Sequence, residues 1–114
     1  MSAPKASGQE PGSKELEVIA NLDRTIHSPA RFMILAYLYM VESADFTFLM
    51  RETGLTRGNL SSHMSTLEAA GYIVVQKEFV DKKPLTLLRI SDKGRVAFRA
   101  YRESLMRVLG EMPE

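Results

Sequence analysis

The segment RGNLSSHMST, residues 57–66, gathers the side chains with the most chemistry in the chain: a hydroxyl beside an imidazole at Ser62 and His63, among hydrogen-bonding groups at Arg57, Asn59, Ser61, Ser65 and Thr66. A serine next to a histidine is the raw material of a nucleophile and its base. Neighbouring positions on a helix, however, diverge by about 100° and do not face each other, and no acid stands ready to orient the imidazole. Metal chemistry has less to draw on. Cysteine is absent and His27 and His63 are the only histidines, which excludes disulfides and thiolate sites and leaves too few soft ligands for a cluster. With no acid, base and nucleophile constellation, the chain reads as a non-enzyme that needs no cofactor. What remains is hydrogen bonding from a narrow surface. Leu60, Met64 and Leu67 recur at i, i+4 and i+7 and form an inward stripe. Their complement is Arg57, Gly58, Asn59, Ser61, Ser62, Ser65 and Thr66, of which all but the arginine are poorer helix formers than the Glu, Lys, Gln and Ala that usually surface a helix. Propensity is given up for slenderness.

The elements that would hold this segment follow from the rest of the sequence. At 114 residues the chain is long enough for one hydrophobic core and is expected to be one domain. Apolar residues at 45% and charged residues at 25% give the balance of a soluble globular protein. The longest apolar run, FMILAYLYMV at 32–41, is about half of the ~20 residues a membrane span requires, so it reads as a buried helix. The amino-terminal segment lacks the apolar core of a signal peptide, and a cytoplasmic location without membrane contact is expected. Net charge is +1, but it is unevenly spread: residues 1–50 carry four basic and six acidic side chains, residues 51–95 eight and five. The basic excess begins at the segment quoted above.

Residues 1–13, rich in Ser, Pro and Gly, are expected to form a flexible tail, and residues 14–110 the folded domain. Apolar spacing predicts a first helix from Lys14 to His27. Ser28 as N-cap and Pro29 at the first position start a second, running to about Glu42 with Ala30, Ile34, Tyr37, Leu38 and Val41 inward. ADFTF is a strand stub, with Thr47 available to cap a short helix that Gly54 ends. Thr56 is placed to cap the next helix, Arg57–Ala70, and two helices joined by so short a turn make a helix-turn-helix. The runs YIVVQKEFV and LTLLRI, separated by DKKP, read as a β-hairpin. Ser91 then caps a last helix to about Leu109. The fold class is mainly α with a small hairpin, in the order α1-α2-(β1)-α3-α4-β2-β3-α5.

From TGLTRGNLSSHMSTLEAAGYI through KKPLTLLRISDKGRVAF, the sequence resembles the winged helix-turn-helix transcriptional regulators of the MarR and ArsR type, especially the small single-domain ones. The resemblance covers roughly residues 22–105. It implies a homodimer that binds double-stranded operator DNA as a regulator of transcription, most simply a repressor, with the recognition helix 57–70 in the major groove and the wing 77–89 on the backbone or minor groove. The chemistry of residues 57–66 agrees. A helix just fits the ~12 Å major groove, and small polar side chains let its backbone approach where longer ones would hold it off. Arg57 suits phosphate or guanine, and Asn59 can read adenine or stay solvated. The hydroxyls of Ser61, Ser62, Ser65 and Thr66 donate and accept too freely to discriminate bases and suit phosphates better. His63 is expected near the DNA edge, either in contact or hydrogen-bonded within the protein. On the wing, Lys77, Lys82, Lys83 and Arg89 can neutralise phosphates, though an exposed hairpin also needs charge to avoid edge pairing.

The terminal helices carry broad apolar stripes, Leu16, Ile19, Leu22 and Ile26 in one and Ala97, Tyr101, Leu105, Val108 and Leu109 in the other. These are wider than a domain of this size requires for its own core, and in the resembled families they form the dimer interface. The chain departs from the ArsR metal sensors in lacking cysteine, and from longer MarR proteins in having fewer residues around the dimer helices, where ligand pockets are usually shaped. The sequence identifies no small-molecule effector. The alternative from another functional class is a winged-helix module that binds protein within a larger complex.

Overall fold

The computed structural model describes residues 13–114. The tail expected at 1–13 therefore lies outside the described residues, except that Ser13 opens the first helix. The elements are α1 (Ser13–Ala20), α2 (Pro29–Met40), β1 (Ala44–Asp45), α3 (Phe46–Thr53), α4 (Arg57–Ala69), β2 (Ile73–Val80), β3 (Lys83–Ile90) and α5 (Asp92–Glu111), in the expected order. The strands form one antiparallel sheet in the order β1-β3-β2. Among the described residues, no helix is long and apolar enough to cross a membrane.

Local chemistry explains most boundaries. Ser28 Oγ accepts from Arg31 N at 3.4 Å with Pro29 beside it, so α2 begins as expected. Thr56 Oγ1 accepts from Asn59 N at 3.1 Å and starts α4. At the far end of α4, Tyr72 N donates to Leu67 O and Gly71 N to Glu68 O, both at 2.9 Å, with Gly71 at φ 80. This pair of bonds closes the helix in a Schellman turn, which requires the left-handed conformation that glycine adopts without a Cβ penalty. The turn between β2 and β3 is Asp81 and Lys82 alone, with φ 52 and 66, a two-residue hairpin turn whose twist matches the strands. Pro84 is thus within β3, not in the loop. It pairs with Phe79 one step from the turn, where the antiparallel alternation leaves no inter-strand bond to lose and its nitrogen faces the open edge.

Two expected boundaries are different. The first helix ends at Ala20, not His27. Asp23 Oδ1 accepts from Thr25 N at 2.9 Å and from Ile26 N at 3.2 Å, a local side-chain turn that outcompetes the helical ladder. Leu22 and Ile26 are buried from this loop instead of from a helix face. Asp45, not Thr47, caps α3 by accepting from Phe48 N at 2.8 Å, so the helix starts at Phe46, two residues earlier than a Thr47 cap implies.

The core gathers Ile34, Leu35 and Leu38 of α2, Leu49 of α3, Leu60 and Leu67 of α4, Leu88 of β3 and Phe98 of α5, with Leu22 and Ile26 from the loop. Each fully buried leucine or isoleucine contributes about 1.5–3 kcal/mol over exposure. The sequence SDKG has a packing role here. A Cβ on Gly94 would lie 2.1 Å from the Tyr72 carbonyl oxygen, so only glycine lets the start of α5 sit against the exit of α4. Ser91 completes the joint: its hydroxyl donates to Gly71 O at 2.6 Å while accepting from Gly94 N at 2.9 Å, and its amide donates to Tyr72 O at 3.0 Å.

Candidate nucleic-acid interface

Helix α4 presents two unlike sides. Leu60 and Leu67 are fully buried and Met64 is half-buried against them, as the spacing predicted. Arg57, Gly58, Asn59, Ser62, Ser65 and Thr66 are exposed, while Ser61 and His63 are half-buried at the margins. A Cβ at Gly58 would meet nothing within 4 Å. The chain's own packing does not require a glycine at this position in the first turn of α4. The backbone is left bare only toward whatever approaches from outside.

The polar groups of this face are partly committed. The Arg57 guanidinium lies 5.4 Å from the centroid of the Phe46 ring, so the arginine is steered along the surface by a cation–π contact. Thr66 Oγ1 donates to Ser62 O at 3.2 Å, within the helix. His63 is held from behind. Arg31 Nη1 donates to His63 Nδ1 at 3.2 Å, and because a guanidinium has no acceptor, that ring nitrogen must be unprotonated. Arg31 in turn donates from Nε to Thr25 O at 2.6 Å, which anchors the pair to the 21–28 loop. The partner of His63 is Arg31, and the Ser62–His63 adjacency forms no dyad. Arg31 is a residue that sequence reasoning missed, since nothing in its spacing relates it to a histidine 32 positions away.

A second tether joins the same loop to the end of α4. The Tyr72 hydroxyl donates to Asp23 Oδ2. Burial, reinforced by this hydrogen bond and by the Asp23 charge, pushes the Tyr72 phenol up to about 12. Burial also raises Tyr101, whose hydroxyl is 2.8 Å from His27 Nδ1. The 21–28 loop therefore bonds the exit of α4 and α5 directly and reaches α4 through Arg31 of α2.

On the wing, Lys77, Lys82, Lys83 and Arg89 are all exposed, but the hairpin divides them. Strand alternation puts Lys77 on the face whose base is Ile73, Leu88 and Ile90, and puts Lys83 and Arg89 on the other. Arg89 is at the base of the wing, where it lines a shallow cleft with Glu42, Ser43, Gln76 and Leu87. Phe79, 78% exposed at the tip, was not singled out from the sequence. Its signal was there: an aromatic one pair from a turn, on a strand longer than the core it covers. Lys93 and Arg95 at the start of α5 lie over aromatic rings, Lys93 5.8 Å from the Tyr72 centroid and Arg95 5.2 Å from that of Tyr39.

The residues expected at a dimer interface separate into two groups. Leu22, Ile26, Tyr101 and Val108 are buried within the chain itself, and Ala97 and Leu105 are half-buried. Leu16 is 69% exposed and Ile19 36%. The loop at 21–28 explains the division: ending α1 early turns Leu22 and Ile26 inward, while Leu16 and Ile19 stay on a helix packed chiefly against α5. Leu109, also of the expected stripe, is exposed near the carboxyl-terminal end of α5, together with Met106 and Met112, which the expectation lacked.

Residues 30–109 match the family described as the winged helix DNA-binding domain. Over 78 residues the chain is 37% identical to an uncharacterised protein of Methanocaldococcus jannaschii, an alignment that spans 68% of this chain and 85% of that one. A transcriptional regulator homologue from Pyrococcus horikoshii OT3 superposes with a TM-score of 0.78 at 30% identity, over 85% of this chain and 95% of its own. A MarR family transcriptional regulator from Streptomyces coelicolor, in complex with DNA, superposes with a TM-score of 0.54 at 18% identity, over 99% of this chain and 81% of its own. At that identity the likeness is one of fold alone.

Proposed function

Since this chain belongs to the winged helix DNA-binding domain family, we propose that it is a homodimeric, sequence-specific regulator of transcription that binds double-stranded operator DNA and represses by occupying it. The observation that carries this reading is the two-sided α4: a fully buried Leu60 and Leu67 behind, and in front a slender polar face with bare backbone at Gly58. A helix so shaped suits the major groove, where Arg57 and Asn59 would meet base edges and the serine and threonine hydroxyls phosphates. Lys77, Lys82, Lys83 and Arg89 would supply the sequence-independent attraction to the backbone. His63 acts chiefly as the acceptor for Arg31 and contributes to recognition by fixing where α4 lies. The DNA complex of the Streptomyces coelicolor regulator, which shares the fold, supports the class of partner.

Dimerisation has a physical motive as well as a surface. One recognition helix buries too little area for operator selectivity, and two half-sites related by a two-fold multiply it. Exposed Leu16, Ile19, Met106, Leu109 and Met112 form the apolar surface of the terminal helices. Selection of bound duplexes from a random pool tests the whole reading. A palindrome is the expected product; no enrichment of any sequence would favour the protein-binding alternative. Sedimentation at micromolar concentration should find a dimer, and Leu109→Asp should dissociate it without unfolding, because Leu109 is 57% exposed in the single chain.

A further inference from the structure

Phe79 has no use in the core or in the charge pattern of the wing. It is in β2 opposite Pro84, one pair from the turn, and 78% of its surface is exposed. Strand alternation places Phe79 and Pro84 on one face with Lys77 and Thr86, and that face continues to Val75, Leu88, Ile73 and Ile90, which enter the core. The hairpin has outgrown the core it covers, yet beyond the Lys77–Thr86 pair its inner face turns apolar again at the end.

The arm that carries this pair is well defined. The β2–β3 register runs without interruption from Ile73↔Ile90 to Val80↔Lys83, and the two-residue turn fixes its end. Exposed Lys77 shares the face of the apolar pair and exposed Lys82 is in the adjoining turn, while Lys83 is on the opposite face beside them. Of the nearby acids, Glu78 is on the opposite face, where its Oε1 accepts from Gln76 Nε2 at 2.6 Å, and Asp81 is in the turn. An aromatic with one lysine on its own face and another in the turn beside it is matched to a polyanion with apolar surface within it. Stacked bases between phosphates answer that description.

We propose that Phe79, backed by Pro84, is an apolar wedge that the wing inserts at a base step in the minor groove of duplex DNA, with Lys77, Lys82 and Lys83 on the flanking phosphates. The inference rests on the DNA-binding reading above and adds to it a way of recognising sequence without base hydrogen bonds. Apolar wedges partly unstack a step and bend the duplex toward the major groove. Unstacking is easiest at pyrimidine–purine steps such as TA and CA, so the wing selects operators that place such a step within its reach.

The test uses the full-length protein and a duplex recovered by selection from a random pool, with 2-aminopurine at the pyrimidine–purine steps flanking each half-site. Wild-type protein should raise the fluorescence at one step per half-site, the signature of unstacking. Phe79→Ala should abolish that rise at saturating protein and weaken binding about tenfold, with the salt slope and melting temperature unchanged. Joint replacement of Lys82 and Lys83 by Ala should do the reverse, lowering the salt slope while keeping the fluorescence rise at saturation. Wild-type affinity and fluorescence in Phe79→Ala, or no rise with the wild type, would overturn the wedge, as would loss of self-association in Phe79→Ala, which would assign the ring to a protein contact. A wild-type protein that binds no selected duplex would overturn the DNA-binding reading itself.

Discussion

Helix α4 and the wing face outward beside one another, but they are built on opposite terms. The helix is nearly uncharged on its exposed face and braced on every other side: Thr56 caps it, a Schellman turn closes it, Leu60 and Leu67 anchor it, and Arg31 holds His63. The wing is rich in charge, and past Val75 and Leu88 its strands have chiefly each other and a two-residue turn. A base-reading surface must be held to within a fraction of an ångström, because hydrogen bonds to base edges tolerate little error. A phosphate-binding or wedging surface needs charge and reach, and it meets a target that looks much the same along the duplex. Bracing therefore separates the element suited to discriminate from the element suited to attract.

The largest expected effect breaks the brace. Leu60→Ala should lower stability by about 2–5 kcal/mol through the cavity it leaves, measured by chemical unfolding, and any loss of DNA binding should follow the unfolded fraction. The same truncation at exposed Phe79 should change stability by less than about 0.5 kcal/mol. Equal losses at the two sites would erase the contrast between them.

Next in size, Arg57→Ala and Asn59→Ala should change which operators are preferred, by about 1–3 kcal/mol of discrimination per contact, as read by competition between variant duplexes. Asn59→Ala should leave melting nearly unchanged, whereas Arg57→Ala also loses its contact with Phe46, a stabilisation of about 0.5–1 kcal/mol. If both variants keep wild-type base preference, α4 is not the reader. Replacing Lys82 and Lys83 together by Ala should weaken selected and random duplexes alike and reduce the salt slope by about one per lost phosphate contact. A shift in base preference there would mean that the wing discriminates through its charges.

The smallest effect concerns the tether behind α4. The Tyr72 phenol titrates at about 12 in the folded chain and near 10 when unfolded. The unfolded state thus releases its proton first, so the stabilisation linked to this phenol, set by its burial first and its bond to Asp23 second, is fully present below pH 10 and is lost as pH rises from 10 through 12. Tyr72→Phe should flatten that part of the stability profile relative to wild type. A profile of unchanged slope would show that the Asp23 contact does not form in solution.

Much of this was legible in order along the chain because its causes are local. Ser28, Thr56 and Ser91 cap helices with hydroxyls three residues from the amide they serve, and Gly54 ends α3 at a left-handed position. The i, i+4, i+7 spacing of Leu60, Met64 and Leu67 assigned the two sides of α4 before any fold was known. The resemblance of the segment from helix α3 through the wing reaches the family because that segment carries its own turn and packing chemistry, down to the glycine that admits α5 against Tyr72.

Tertiary structure decided what depends on distant groups or on competition between local options. Asp23 could continue a helix or fold a side-chain turn, and the turn prevails where Tyr72 bonds the free carboxylate oxygen and Leu22 and Ile26 gain burial. Asp45 and Thr47 were both competent caps, and pairing of Ala44 and Asp45 with β3 favours the earlier one. Apolar periodicity counts a buried leucine and an exposed one alike, so the partition of the terminal stripes between core and surface was invisible until the loop at 21–28 was seen to turn two of them inward. The Arg31–His63 pair joins residues from two helices that no spacing rule relates, and it exists only because packing α2 against α4 brings them to 3.2 Å.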